Sequence, residues 1–294
     1  MPDAIRPHIY LIDGSGFIFR AYHGIRPLNS PDGTPVNAVF GFSNMLFKLL
    51  QDLDISEKPS HLAVIFDTKR QTFRNDIYPE YKAHRPPAPE DLVPQFAIIR
   101  EAVKAFGLPS IELDGFEADD LIATYADQAR AKGWKVTIVS SDKDLMQLVD
   151  DDNITMFDAM KNVRVRPAQV MEKLGVGPEM VVELQALAGD SADNVPGVPG
   201  IGVKTAALLL NEYGSLENLL ARAGEIKQNK RRESLIEFAD LARISRQLVT
   251  LDRKVPVPAS RSVISSKIVA NLPFSGEKIV IIKCFSIGEK NTSN

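Results

Sequence analysis

The chain has 294 residues, of which 44% are hydrophobic and 25% charged, and its formal net charge is −3. These values are typical of a globular protein with a hydrophobic core, and the negative charge argues against a simple basic nucleic-acid coat protein. One cysteine excludes an internal disulfide, the first residues do not resemble a secretory signal, and no apolar run approaches the roughly 18 residues of a membrane span. We therefore expect a cytoplasmic protein without membrane association.

Short apolar runs alternate with amphipathic segments from the start of the chain to about residue 165. The alternation predicts a parallel sheet covered by helices, in which functional residues lie beyond the carboxyl ends of the strands. The predicted strands are 8–12, 61–66, 110–113, 135–139, 154–157 and 163–165, and the predicted helices are 37–53, 92–106 and 117–131.

Acidic residues follow three of these strands and open the helix that begins after Gly115. One aspartate after a strand is usually turn chemistry, and acidic residues favour a first helical turn because the N–H groups there are positive. So many clustered carboxylates, however, repel one another unless cations neutralise them. We therefore expect a metal site rather than a purely structural role where Asp13, Asp67 and Asp142 meet Glu117, Asp119 and Asp120. Three further acidic residues are expected to converge on the same place: Asp144, Asp190 and Asp193.

The types of ligand indicate the class of metal. The chain has no cysteine cluster, and its four histidines show no His-x-x-x-His spacing. Oxygen ligands alone point to Mg²⁺ or Mn²⁺ rather than zinc. Such ions commonly act on phosphate substrates, and two of them about 4 Å apart can activate water and stabilise a leaving oxygen.

A basic and aromatic segment lies between Asp67 and the next predicted helix. This mixture suits single-stranded nucleic acid, through phosphate contacts and base stacking, although a solvated loop with its aromatics packed on the protein is equally compatible. Lys82 and Arg85 are the stronger candidates, because the prolines that follow them stiffen a loop beside the acidic edge. The candidate DNA contacts of the segment are Arg70, Arg74 and Tyr81.

From Gly175 the sequence changes to short helical patterns with Gly/Pro turns. Pro-Gly-Ile-Gly-Val-Lys-Thr-Ala precedes an apolar helical run, and Gly200 and Gly202 would let a duplex backbone approach the N–H groups at the helix start. Lys204 and Thr205 lie beside them as further candidate DNA contacts. The spacing of a Walker A loop is absent.

Together these motifs resemble the N-terminal 5′-nuclease domain of bacterial DNA polymerase I, in the flap endonuclease superfamily. The resemblance runs from about residue 7 to residue 257. The matching motifs are Leu-Ile-Asp13-Gly-Ser, Ile-Phe-Asp67, Tyr81-Lys-Ala-His-Arg-Pro, Gly115-Phe-Glu-Ala-Asp-Asp, Ser141-Asp-Lys-Asp-Leu and Gly189-Asp-Ser-Ala-Asp-Asn-Val-Pro-Gly.

The resemblance implies an α/β fold: a PIN-like parallel or mixed sheet flanked by helices over residues 1–175, then a mostly helical helix–hairpin–helix DNA-binding region over 176–257. Residues 258–294 do not resemble the family's continuation, and we assign them no role. The nine carboxylates would hold two or more ions, with Glu117, Asp119, Asp142 and Asp144 mostly serving the ion nearer the cut. Asp190 and Asp193 would mostly serve the second. Lys82 and Arg85 would be catalytic, and the Gly200–Gly202 hairpin would hold K⁺.

The expected function is therefore a divalent-metal-dependent 5′-3′ exonuclease or 5′-flap endonuclease that hydrolyses DNA phosphodiesters in replication and repair. The expected partners are DNA with 5′ ends, flaps or nicks and a polymerase supplied separately, and family precedent favours a monomer. A PIN-type ribonuclease is disfavoured because such domains usually lack a helix–hairpin–helix region. A silent DNA binder would gain nothing from carboxylates that repel phosphate, and the residues after 257 are too few for a polymerase.

Overall fold

The protein is described by a computed structural model over residues 6–56, 59–69 and 71–257. Arg70, predicted to contact DNA, and the segment 258–294 lie outside the described residues. None of the helices within these ranges is both long enough and apolar enough to cross a bilayer.

Six strands form one sheet in the order β3-β2-β1-β4-β5-β6. All neighbouring pairs are parallel except β5 and β6, which form an antiparallel edge. Every predicted strand is confirmed, with its bounds shifted by no more than two residues. The strands are β1 His8–Asp13, β2 His61–Ile65, β3 Ser110–Ile111, β4 Lys135–Val139, β5 Ile154–Asp158 and β6 Val163–Val165.

Helices cover both faces of the sheet, so each central strand is buried on both sides. In β1, Tyr10 and Ile12 face a core with Phe42 of one helix layer, whereas Ile9 faces a core with Leu121 of the other. This double burial explains why the strands read as continuous apolar runs rather than as an alternating pattern. The helices of this part are α1 Gly14–Gly24, α2 Asn37–Ser56, α3 Phe73–Ile77, α4 Val93–Ala105, α5 Ala118–Ala131 and α6 Pro167–Leu174.

Helix α1 was not predicted, because Gly-Ser-Gly after Asp13 was interpreted only as the end of a strand. In the structure Asp13 is the N-cap of α1, and its carboxylate accepts a hydrogen bond from the Gly16 N–H at 3.0 Å. A Cβ atom at Gly14 would lie 2.4 Å from the Phe66 ring, so the glycine permits the helix to pack against β2. The short helix α3 was likewise missed inside the basic segment.

The second part of the chain is helical and has its own core, which includes Leu187, Ile201 and Leu210. Its last helix returns to the sheet domain, where Leu248 packs with Tyr81 in a separate small cluster. The helices are α7 Val181–Ala188, α8 Val203–Tyr213, α9 Leu216–Ala221, α10 Asn229–Glu237 and α11 Ala239–Val249.

The loop between α7 and α8 is closed tightly at its base. Asp190 and Val195 exchange two backbone hydrogen bonds, of 2.9 and 2.8 Å. Gly189 and Gly197 cross so closely that a Cβ atom at Gly197 would lie 2.4 Å from the Gly189 nitrogen. The loop therefore holds Asp190 and Asp193 in a fixed relation to α7.

We expect Gly197→Ala to lower the free energy of unfolding by at least about 2 kcal/mol, because a Cβ atom is disfavoured at its φ of +61° and clashes with backbone. Urea unfolding at neutral pH measures this change. Gly202→Ala is the matched control, since a Cβ atom there meets nothing within 4 Å. Equal stability of the two variants would contradict the tight crossing.

Candidate metal centre and nucleic-acid interface

Two strand-end aspartates are fixed by hydrogen bonds at the carboxyl edge of the sheet. Asp13 accepts from the Ser140 hydroxyl at 2.9 Å, in addition to its helix-capping bond. Asp67 accepts from the Ala118 N–H at 2.8 Å, which ties the end of β2 to the first residue of α5. The parallel topology thus brings the ends of three strands and the start of α5 to one place.

The carboxylates at this edge are close enough to repel one another. Burial, and then the charges of Asp142 and Asp13, raise the pKa of Asp119 well above its usual range. Burial, followed by neighbouring acidic charges, raises the pKa of Asp13 to about 6 and that of Asp144 to about 7. Asp67 contributes to the repulsion at both Asp13 and Asp119. The structure therefore brings together these five predicted residues.

Basic side chains neutralise the remaining carboxylates. Lys82 lies 2.8 Å from Glu117 and 3.4 Å from Asp193. Burial disfavours the Lys82 charge, but the two carboxylates outweigh it and raise the pKa of the ammonium group. Arg85 also pairs with Asp193, and its Nε donates to the Ala192 carbonyl at 3.0 Å. Lys82 and Arg85, predicted to be catalytic, thus border the acidic cluster directly.

Asp190 and Asp144 each have a separate polar partner. Lys143 binds Asp190 at 2.9 Å, and the Gln185 amide donates to Asp144. Lys143 and Gln185 were not predicted. The position of Lys143 between two aspartates of the Ser-Asp-Lys-Asp motif was a usable signal, whereas nothing in the sequence marks Gln185.

No group of three or more His, Cys, Asp or Glu side chains in the described ranges is arranged to hold a metal ion as it stands. Lys82, Arg85 and Lys143 instead hold three of the carboxylates in ion pairs: Glu117, Asp193 and Asp190. The donor chemistry nevertheless fits a hard divalent ion, because the clustered groups are oxygen ligands. After burial, the charges of Asp142 and Asp13 raise the pKa of Asp119, and a bound cation would offset these charges.

Asp120 departs from the predicted set of metal ligands. It is fully buried, and Arg74 binds both of its carboxylate oxygens at 2.7 Å. The backbone N–H groups of Glu117 and Asp252 donate to the same two oxygens at 3.1 and 2.9 Å. The prediction that Asp120 binds metal is therefore wrong for this structure, because its oxygens are occupied inside the protein.

Two of the predicted DNA contacts are also buried. The side chain of Arg74 is 1% exposed. Tyr81 is 4% exposed, and its hydroxyl lies 3.2 Å from both Glu117 and Asp193. Neither side chain can meet a DNA strand from these positions, so both predictions are wrong. Tyr81 instead supports two carboxylates from inside, and Arg74 neutralises a third.

The glycine hairpin before α8 is open to solvent. Gly200 has a φ of +81°, Gly202 is the N-cap of α8, and both are exposed. Lys204 is exposed and Thr205 half-buried in the first turn of the helix. The N–H groups of this turn are therefore accessible to a phosphate, as the predicted DNA contact requires.

A cavity of about 610 Å³ opens beside the acidic edge. Its apolar wall includes Phe19, Phe66 and Phe96, and Asp67, Glu117, Lys69, Lys82 and Arg100 also line it. The cavity thus combines aromatic surface with basic groups directly beside the carboxylates.

In EDTA, we expect Asp144→Asn to be more stable than the wild type at pH 8, and the difference to shrink steadily towards pH 4. The pKa of Asp144 is about 7 in the folded protein, against an ordinary 3.8. The folded wild type therefore retains a proton that the unfolded chain releases in this window, and it loses stability as pH rises. Urea unfolding of both proteins between pH 4 and 8 measures the difference, and a constant difference would contradict the raised pKa of Asp144.

Two family models match the chain: the 5′-3′ exonuclease N-terminal resolvase-like domain over residues 8–175, and the 5′-3′ exonuclease C-terminal SAM fold over residues 176–269. A solved structure of T5 5′-exonuclease with bound zinc ions superposes with a TM-score of 0.71 at 22% identity, covering 95% of this chain and 97% of that chain. This likeness confirms the expected α/β fold with a helical second part.

DNA polymerase I of Rhizobium leguminosarum is 59% identical over 254 residues, which are 85% of this chain and 25% of the relative. The chain thus spans about a quarter of the length of that polymerase. A 5′-3′ exonuclease of Aquifex aeolicus is 43% identical over 212 residues, 72% of each chain. The chain belongs to the 5′-3′ exonuclease family, and is homologous to the N-terminal part of DNA polymerase I.

Proposed function

We propose that the chain is a divalent-metal-dependent nuclease that hydrolyses DNA phosphodiesters near 5′ ends and at the base of 5′ flaps. The observation that carries the proposal is the acidic edge itself. Asp13, Asp119 and Asp144 have raised pKa values there, and Lys82 and Arg85 pair with the neighbouring Glu117 and Asp193. A binding protein would have no use for such an edge, because it repels phosphate.

The carboxylates of the edge would hold Mg²⁺ or Mn²⁺, in two or more positions. Asp13, Asp67, Glu117, Asp119, Asp142 and Asp144 form one part of the donor set, and Asp190 and Asp193 the other. When bound, such ions activate water and stabilise the leaving oxygen in phosphodiester hydrolysis. A structure of T5 flap endonuclease carries DNA and metal ions, and one of T5 5′-exonuclease carries zinc, which supports a divalent-metal centre. The preference for Mg²⁺ or Mn²⁺ rests on the oxygen ligands.

The basic residues would exchange partners when DNA arrives. In the structure Lys82 and Arg85 compensate Glu117 and Asp193, and both lie at the border of the acidic edge. A metal ion that takes over this compensation would leave the ammonium and guanidinium groups for the phosphate. They would then stabilise the charge that develops on the phosphate oxygens. The cavity with Phe19 and Phe96 offers space for unpaired bases beside the same carboxylates.

The exposed hairpin at Gly200 and Gly202 would bind the duplex part of the substrate, with Lys204 on a phosphate and K⁺ at the hairpin carbonyls. This arrangement assigns residues 176–257 to duplex binding and residues 1–175 to hydrolysis. The partners would be DNA with 5′ ends, flaps or nicks and a polymerase on a separate chain, and we propose that the protein acts as a monomer in the cytoplasm.

We expect Asp119→Asn to lower kcat on a 5′-flap duplex by at least about 100-fold, since even groups that only support metal ligands cost about 10- to 100-fold when replaced. The Kd for the same DNA in Ca²⁺ should change little. Steady-state kinetics and fluorescence anisotropy measure the two quantities. Asp127→Asn, two turns further along α5, is the control, and comparable cleavage by both variants would exclude Asp119 from the site.

A further inference from the structure

Helix α11 contacts three separate segments that bear acidic-edge residues. The contacts are made by three buried polar side chains: Ser245 within the helical part, and Arg74 and Gln147 between the sheet domain and the carboxyl end of α11. None of the three is exposed enough to reach a substrate, and each forms hydrogen bonds at both of the segments it joins.

Ser245 connects α11 to the loop that carries Asp190 and Asp193. Its hydroxyl accepts from the Gly197 N–H at 3.0 Å and donates to the Leu241 carbonyl at 2.8 Å. Ser245 is fully buried. Because the loop is closed tightly at Gly197, this single hydrogen bond fixes the position of the loop along the axis of α11.

Arg74 connects the carboxyl end of α11 to the start of α5. Its guanidinium donates to the Leu248 and Thr250 carbonyls at 2.7 and 3.2 Å, as well as to Asp120. Asp120 lies next to Asp119 and caps the same helix start. The ion pair thus holds α5 at a set distance from α11.

Gln147 connects the same end of α11 to the turn that carries Asp144. Its amide N–H groups donate to the carbonyls of Asp144 and Val249, each at 2.9 Å. Its carbonyl accepts from the Leu251 N–H at 3.2 Å. Gln147 therefore links the Asp144 backbone to the carboxyl end of α11, through Val249 and Leu251.

We propose that α11 is the common support on which the acidic edge is assembled, and that Ser245, Arg74 and Gln147 are positioning residues for hydrolysis. Three segments far apart in sequence carry acidic residues of the edge: the 190–197 loop, the start of α5 and the turn at Asp144. One buried polar side chain connects each of them to α11 or its carboxyl end. Leu248 and Val249 of the helix also pack against Tyr81, next to Lys82, so the basic loop has the same support. The inference rests on the proposed nuclease function.

The electrostatics explain why such a support is needed. Clustered carboxylates repel one another, and apolar contacts alone permit small shifts that hydrogen bonds of fixed geometry resist. A divalent ion requires its oxygen ligands within narrow limits of distance. Loss of one positioning residue should therefore act on metal binding and turnover, and little on DNA binding.

The test compares Ser245→Ala and Gln147→Leu with the wild type. Calorimetry measures Mn²⁺ binding to the DNA-free protein, and steady-state kinetics on a 5′-flap duplex give kcat and KM. Both variants should weaken Mn²⁺ binding and lower kcat by about tenfold, as loss of groups that orient metal ligands does, with KM for DNA within about twofold. Thr137→Val is the control, because Thr137 is buried and bonds to His8 at 2.9 Å inside the sheet.

Unchanged Mn²⁺ affinity in both variants would overturn the inference while leaving wild-type cleavage, and with it the proposed function, intact. An equal loss in Thr137→Val would also overturn it, since general loosening would then explain the effect. If the wild type binds Mn²⁺ but cleaves no DNA, the proposed function fails, and the affinities of the variants still decide whether α11 supports the cluster.

Discussion

Mutual repulsion among carboxylates is the constraint that shapes this protein. A parallel sheet gathers the ends of its strands at one edge, and this chain places acidic residues there and at the start of α5. Burial makes the repulsion stronger, because charges in a protein interior are poorly screened. Burial, and then the charges of Asp142 and Asp13, raise the pKa of Asp119, and the second of these causes is the repulsion. Such an arrangement persists only if cations compensate it and the surrounding fold resists its expansion.

Two features of the fold offset the repulsion between the carboxylates. Basic side chains compensate part of the charge: Arg74 permanently, inside the protein, and Lys82, Arg85 and Lys143 at the accessible border. Buried hydrogen bonds resist the expansion by fastening the acid-bearing segments to α11. Buried Arg74 can only stabilise the fold. In the proposed function, the lysine and arginine side chains at the border could leave a carboxylate and bind a phosphate.

The strands and their acidic ends could be predicted because continuous apolar runs and the aspartates after them are local features of the sequence. The interpretation of Asp120 and Arg74 failed because their bidentate pairing joins residues 46 positions apart. The sequence shows that both residues are charged. No local feature of the sequence distinguishes a buried ion pair between them from the predicted roles, in which Asp120 binds metal and Arg74 contacts DNA. Tyr81 was misassigned for the same reason. Helix α1 was missed because Gly-Ser-Gly was interpreted only as the end of a strand, although the cap at Asp13 is local; what the sequence could not show is the Phe66 ring that packs against Gly14.

The most direct measurement uses a DNA duplex with a 5′ flap labelled at its 5′ end, incubated with the purified protein in Mg²⁺ and separately in EDTA. An acidic edge that acts through divalent ions should release a short labelled product of about the flap length in Mg²⁺ and none in EDTA. Binding without cleavage in both Mg²⁺ and Mn²⁺ would contradict the assignment of the edge as a hydrolytic metal centre.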